Sequence, residues 1–120
     1  MQNSTILLIA HGSRREASND EIKQLAVELE TRLKRNVMAC FLEIATPSIE
    51  EAIAILAKTE TSVTVLPYFL STGRHVAEDI PRILGSCKEL HPELMINMLA
   101  YMGKDFALLD ILIEQCSPTS

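Results

Sequence analysis

The chain has 120 residues, 48% of them hydrophobic, with a formal net charge of −5 at pH 7. That is enough apolar content for one packed domain, and too acidic a balance for the basic face with which nucleic-acid binders release counterions from phosphates. With no tryptophan and 4% aromatic residues it offers no stacking platform for bases, and no apolar run approaches the ~18 residues needed to span a bilayer.

The N-terminus lacks a basic region followed by a long apolar stretch and a small-residue cleavage site, so the expectation is one domain over residues 1–120, cytoplasmic, with no membrane partner. Cys40, Cys87 and Cys116 form no C-x-x-C pair and leave one thiol over from any disulfide, which fits a reducing compartment.

Taken in order, Thr5 to Ala10 is a continuous apolar run, the pattern of a strand covered on both faces. Ser18-Asn19-Asp20-Glu21 reads as a capping box. Ile22, Leu25, Ala26, Leu29 and Leu33 follow at helical spacing, which predicts a helix over 19–34 that Asn36 ends. A second apolar run covers 37–42, with Glu43 at its C-terminal end. Thr46-Pro47-Ser48 opens a second helix, buried through Ile49, Ala52, Ile53 and Leu56. The β-branched run from Thr61 starts a third strand over 61–68. A third helix is predicted over 76–90, with Pro81 interrupting its first turns. His91-Pro92 ends it, a fourth strand follows over 94–99, and a last helix over 105–115 carries Phe106, Leu109, Leu112 and Ile113 as its apolar positions. The tail 117–120 is expected to fray.

Strands alternating with helices at this short repeat imply right-handed βαβ units and an open, three-layer α/β domain, a four-stranded parallel sheet with helices on both faces. The strand order is taken as 2-1-3-4. In that order the chain reverses between strands 1 and 3, and the crevice at their C-terminal ends is the expected site. Two of the three histidines, His11 and His75, follow those two strands, and Glu43 borders the same rim.

Two imidazoles and a carboxylate suit a divalent first-row ion such as Co²⁺, Fe²⁺, Ni²⁺ or Zn²⁺, and imidazole is equally a proton acceptor near neutral pH. Blander roles stand beside these. His11 is also placed as a turn or helix-capping residue, Glu43 as a cap for the next element, and Gly12-Ser13 as either a tight turn or a nest of backbone N–H groups for an anion. His91, before a proline at a helix C-terminus, is read as a dipole partner only. Arg14, Arg15 and Arg74 lie beside the histidines in sequence as either carboxylate-binding groups or solvated surface charge. Tyr68, Phe69 and Leu70 offer an apolar surface, with at least one of them expected in the core.

Three motifs in order carry a resemblance: His11-Gly12-Ser13-Arg14 after an apolar strand; Phe41-Leu42-Glu43 followed by Pro47-Ser48-Ile49; and Pro67-Tyr68-Phe69-Leu70 leading to Gly73-Arg74-His75-Val76-Ala77-Glu78-Asp79-Ile80-Pro81. Over about two thirds of its length, from Ile6 to Pro81, the chain resembles the sirohydrochlorin chelatases of the CbiX/SirB type, in their short, single-half form. The resemblance implies insertion of Co²⁺ or Fe²⁺ into sirohydrochlorin on the way to cobalamin or sirohaem, with the metal as substrate and no tightly bound cofactor. It implies His11 and His75 as the metal-binding, proton-accepting pair and Glu43 as an assisting carboxylate. Ser13, Arg14, Arg15, Arg74, Phe69 and Leu70 are then candidates for holding the tetrapyrrole and its carboxylates. A homodimer is implied as well, with the partner subunit walling the cleft. Arg74 stands where many relatives have a small residue, and there is no His-rich tail. Two other classes compete: a non-catalytic carrier of metal or tetrapyrrole, and a phosphate-ligand domain built on Gly12-Ser13, which leaves His75 without a role.

Overall fold

A computed structural model describes residues 4–117. The sheet is four-stranded, all parallel and ordered β2-β1-β3-β4, with β1 Thr5–Ala10, β2 Val37–Phe41, β3 Ser62–Pro67 and β4 Met95–Met98. The helices are α1 Glu16–Leu33, α2 Ile49–Leu56, α3 Ile80–Leu90 and α4 Phe106–Cys116. The predicted element order and strand order are those found. Of the tail expected to fray, Ser117 bonds its hydroxyl to the Ile113 carbonyl at 2.7 Å, and residues 118–120 lie outside the described residues.

Residues paired in register across a parallel sheet share a face. Leu7, Ile9, Cys40, Val63 and Val65 point to one side, where Ile49, Ile53 and Leu56 of α2 and Ile80, Leu84 and Cys87 of α3 close over them as the main core. Ile6, Leu8, Ala10 and Phe41 are buried on the other side, where α1 packs along β2. β1 is buried at all six positions, as its unbroken apolar run requires of a central strand. Cys40 and Cys87 sit inside this core, and burial pushes both thiols above the usual thiol range.

Local differences from the sequence-based expectation have physical causes. α1 begins at Glu16, before the expected capping box, because Asn19 is used elsewhere; the residue is 3% exposed and its side chain bonds the backbone of Ser13. The true capping box is at α2. There Ser48 Oγ accepts from Glu51 N–H at 3.1 Å and Glu51 Oε1 accepts from Ser48 N–H at 2.8 Å, which leaves Pro47 just outside the helix. The third helix opens as a wide, π-helical turn, His75–Asp79, in which the Ile80 N–H reaches back to the His75 carbonyl. Pro81 explains this: it has no N–H to give, and in a regular helix its ring would press on the carbonyl of Ala77. The apolar positions expected on the last helix are present but not covered; no residue of α4 is buried, and Phe106 is 84% exposed.

The core accounts for stability. Ile53, fully buried between α2 and the sheet, has nothing to replace it. Ile53→Ala is expected to cost about 2–5 kcal/mol in urea unfolding, through lost transfer energy and the cavity left behind.

Candidate active site at the strand ends

Pairing between β1 and its neighbours continues past the strands themselves. Leu42 N–H bonds the Ala10 carbonyl at 2.9 Å and Glu43 N–H bonds the His11 carbonyl at 3.0 Å, while on the other flank Tyr68 N–H bonds Ile9 O at 2.8 Å. His11 and Glu43 are thereby held side by side, and the chain leaving β3 begins one strand away. Gly12 turns the backbone out at φ +100°, and a Cβ there would lie 1.9 Å from the Glu43 carbonyl oxygen, so only glycine lets the two loops touch.

The side chains then converge. The His11 and His75 rings lie 4.7 Å apart between centroids, tilted by 50°. His11 Nε2 stands 3.1 Å from Glu43 Oε2, and its Nδ1 faces the Gly12 carbonyl at 3.2 Å. His75 Nδ1 stands 2.9 Å from Asp79 Oδ2, and Asp79 Oδ1 accepts in turn from Arg82 Nη2 at 3.5 Å. The hydrogen bond from His75, with Arg82 behind it, holds the Asp79 carboxyl below its usual range, so at neutral pH it stays an acceptor. In its neutral form the ring carries its proton at Nδ1, toward that acceptor, and has its lone pair at Nε2. At His11 both ring nitrogens face acceptors, and a cation between Nε2 and Oε2, proton or metal, satisfies the arrangement.

The two histidines and Glu43 named from sequence thus form one cluster, half-exposed at the rim. Among the described residues no group of three or more His, Cys, Asp or Glu side chains is set out as a metal cage, so the donors stand in adjacent pairs. Ser13 is engaged locally: its hydroxyl accepts from Arg15 N–H at 3.0 Å, and its N–H and carbonyl are both taken by Asn19 at 2.9 and 2.8 Å. Arg14 borders a polar depression of about 290 Å³ together with Lys23 and Thr46. Arg15 and Arg74 flank the histidine loops, and none of the three arginine side chains is paired within the described residues. Phe69 packs against the core, whereas Leu70 and Tyr68 are exposed. His91 caps α3, as read from the sequence.

From the sequence, Asp79 stood only within the third motif and Asn19 only in the expected capping box, neither with a role at the site. Asp79 carried a signal, its i+4 spacing from His75 on a helical segment. Asn19 carried a fainter one: it extends the stripe of Ile22 and Ala26 backwards and puts a polar group where an apolar one is due.

A family model described as CbiX matches residues 5–119. A sirohydrochlorin ferrochelatase from Priestia megaterium is 31% identical over 121 residues, 96% of this chain and 44% of that protein, so the chain spans under half of that relative's length. A sirohydrochlorin cobaltochelatase from Saccharolobus islandicus is 29% identical over 124 residues, 95% of this chain and 94% of that protein. Among solved structures, the sirohydrochlorin chelatase SirB from Bacillus subtilis subspecies spizizenii, in complex with cobalt, superposes with a TM-score of 0.83 at 23% identity, over 94% of this chain and 49% of that one. That last likeness is one of fold.

If Asp79 sets the tautomer and aim of His75, Asp79→Asn is expected to weaken Co²⁺ binding at the rim about 10–100-fold, the usual effect of losing such a partner, with unfolding nearly unchanged. Isothermal titration of the variant beside wild type checks this; equal affinities would contradict it.

Proposed function

The chain belongs to the CbiX family, and from that premise we propose that it is a sirohydrochlorin chelatase, an enzyme that inserts Co²⁺ or Fe²⁺ into sirohydrochlorin for cobalamin or sirohaem synthesis. The observation that carries this reading is the contact of two imidazoles at 4.7 Å on one rim, each with a carboxylate partner of its own. Metallation of a tetrapyrrole needs an ion held loosely enough to leave and two pyrrole N–H protons accepted. The His75 Nε2 lone pair and the His11–Glu43 pair supply acceptors for both.

On this reading the metal is a substrate, Ni²⁺ being a further possible ion by its affinity for the same donors. His11, His75 and Glu43 meet the ion and the protons. Arg14, Arg15 and Arg74 meet the carboxylates of the macrocycle, which an acidic protein must bind through local cations. Leu70 offers the flat ring system an exposed apolar contact. Phe69, turned into the core, supports that loop from beneath, and Ser13 shapes the turn that presents Arg14. The protein works in the cytoplasm as a homodimer; no helix among the described residues is long and apolar enough to cross a membrane.

The test is metallation of sirohydrochlorin with Co²⁺ and with Fe²⁺, followed anaerobically by absorbance. His11→Ala and His75→Ala are each expected to lower the rate by about 10²–10⁴-fold, the usual contribution of a positioned acid or base. Wild type no faster than the protein-free control, with tight binding of metal or tetrapyrrole, would make the protein a carrier instead.

A further inference from the structure

At one point beside the rim the backbone adopts a conformation that its residue type resists. Ile44, directly after Glu43, has φ +73°. The Ala45 N–H bonds the Glu43 carbonyl at 2.8 Å across it, so residues 43–45 close a γ-turn of the rare, strained hand. A β-branched side chain is among the least suited to that region, which glycine enters freely. The turn itself serves Glu43, whose N–H is tied to the His11 carbonyl and whose C=O is tied to Ala45, so that its backbone is fixed from both sides. Glycine would make the same turn without strain. What isoleucine adds is its side chain, and the core does not use it: Ile44 is 57% exposed and packs against none of the buried cluster.

Beside that side chain the surface is concave and positive. The depression of about 290 Å³ is lined by Ile44 and Thr46 from the loop after β2, Arg14 from the loop after β1, and Glu16 and Lys23 from α1. Lys23 lies one helical turn beyond Asn19, on the face of α1 from which Asn19 fastens Ser13, next to Arg14. Neither Arg14 nor Lys23 forms an ion pair among the described residues, although Glu16 shares the hollow. Two cations against one carboxylate leave a local positive surplus in a chain whose net charge is −5. The His11–Glu43 pair borders the same hollow, since Gly12 and Ser13 alone separate His11 from Arg14 and Glu43 adjoins Ile44.

We propose that this hollow is a subsite for one carboxylate arm of the tetrapyrrole, held by Lys23 together with Arg14, and that Ile44 is the apolar contact seating the adjoining ring edge above the His11–Glu43 pair. The inference rests on the chelatase reading and adds two residues to it, Lys23 and Ile44. A flat apolar ring with ionised arms at its margin needs both kinds of contact within a few ångströms, and an apolar tip beside unpaired cations supplies them. A small inorganic anion would have no use for Ile44. Backbone strain kept at a substrate contact, with no return in packing, is what such a role predicts.

Binding of metal-free sirohydrochlorin, followed anaerobically by its own fluorescence, tests the subsite without turnover. Lys23→Met and Ile44→Gly are each expected to raise Kd about 3–10-fold. The Lys23→Met deficit should shrink in about 0.5 M NaCl, where surface charge is screened, and the Ile44→Gly deficit should not. Glu16→Gln, which removes the opposing carboxylate, is expected to tighten binding by a similar factor. Urea unfolding of Ile44→Gly gives a readout on which a structural role has the opposite sign: a midpoint equal to or above wild type supports the proposal, and a lower one overturns it. Wild-type affinity in either Lys23→Met or Ile44→Gly also overturns it, and leaves the chelatase reading standing. Weakened binding in both variants of a protein that does not accelerate metallation supports the subsite and overturns the chelatase reading. Wild type that binds no sirohydrochlorin overturns both.

Discussion

Parallel pairing of β1 with both β2 and β3 is the constraint on which the site depends. Ile9 lies opposite Cys40 on one flank and Pro67 on the other, so all three strands run out at the same rim. Groups far apart along the chain become neighbours there without any flexible segment having to find its place. Backbone hydrogen bonds beyond the strand ends, Glu43 to His11 and Tyr68 to Ile9, carry that order into the loops. Gly12 permits the closest approach. A side chain at that point would push the Glu43 backbone away and open the gap between imidazole and carboxylate.

Within the rim the two histidines are held in different ways. His75 is aimed by Asp79, itself braced by Arg82, so one ring nitrogen is committed and the other is presented. His11 is aimed by its place in a rigid turn, which Asn19 fastens from α1 by taking both backbone groups of Ser13. A buried amide that satisfies a loop's N–H and C=O together removes two orphaned polar groups and fixes the loop at the same time. Asn19 is therefore a structural support for the His11 loop, and its burial follows from that use.

The strands and their order were legible because they are continuous apolar runs separated by helical periodicity, and such a pattern admits few topologies. The candidate site was legible for the same reason: strand ends in a parallel sheet share a rim, so His11, Glu43 and His75 could be placed together from their positions alone. What was missed depends on contacts between segments. Ser18 to Glu21 has the composition of a cap, but the partner that Asn19 takes lies in the preceding loop, and local composition does not reveal it. Pro81 announced a break in the helix but not its form, a widened turn that keeps His75 and Asp79 on one side. The apolar spacing of α4 was read correctly as a helix, and its lack of cover could not be, because periodicity says which face is apolar and not what meets it.

On the chelatase reading, a site that passes its ion on gains nothing from holding it tightly, since binding the ground state more strongly deepens the well from which transfer must start. A closed cage of donors would oppose release. Donors in adjacent pairs, half-open to solvent, leave positions on the ion for the incoming nitrogens of the macrocycle, and each bond to the protein is exchanged for one to the ring. The carboxylate of Glu43 then has a second use. On that reading, the His11–Glu43 pair, 3.1 Å apart, would take up a proton from the macrocycle once the ion had gone, so that one pair of acceptors would serve both for the metal and for what the metal displaces.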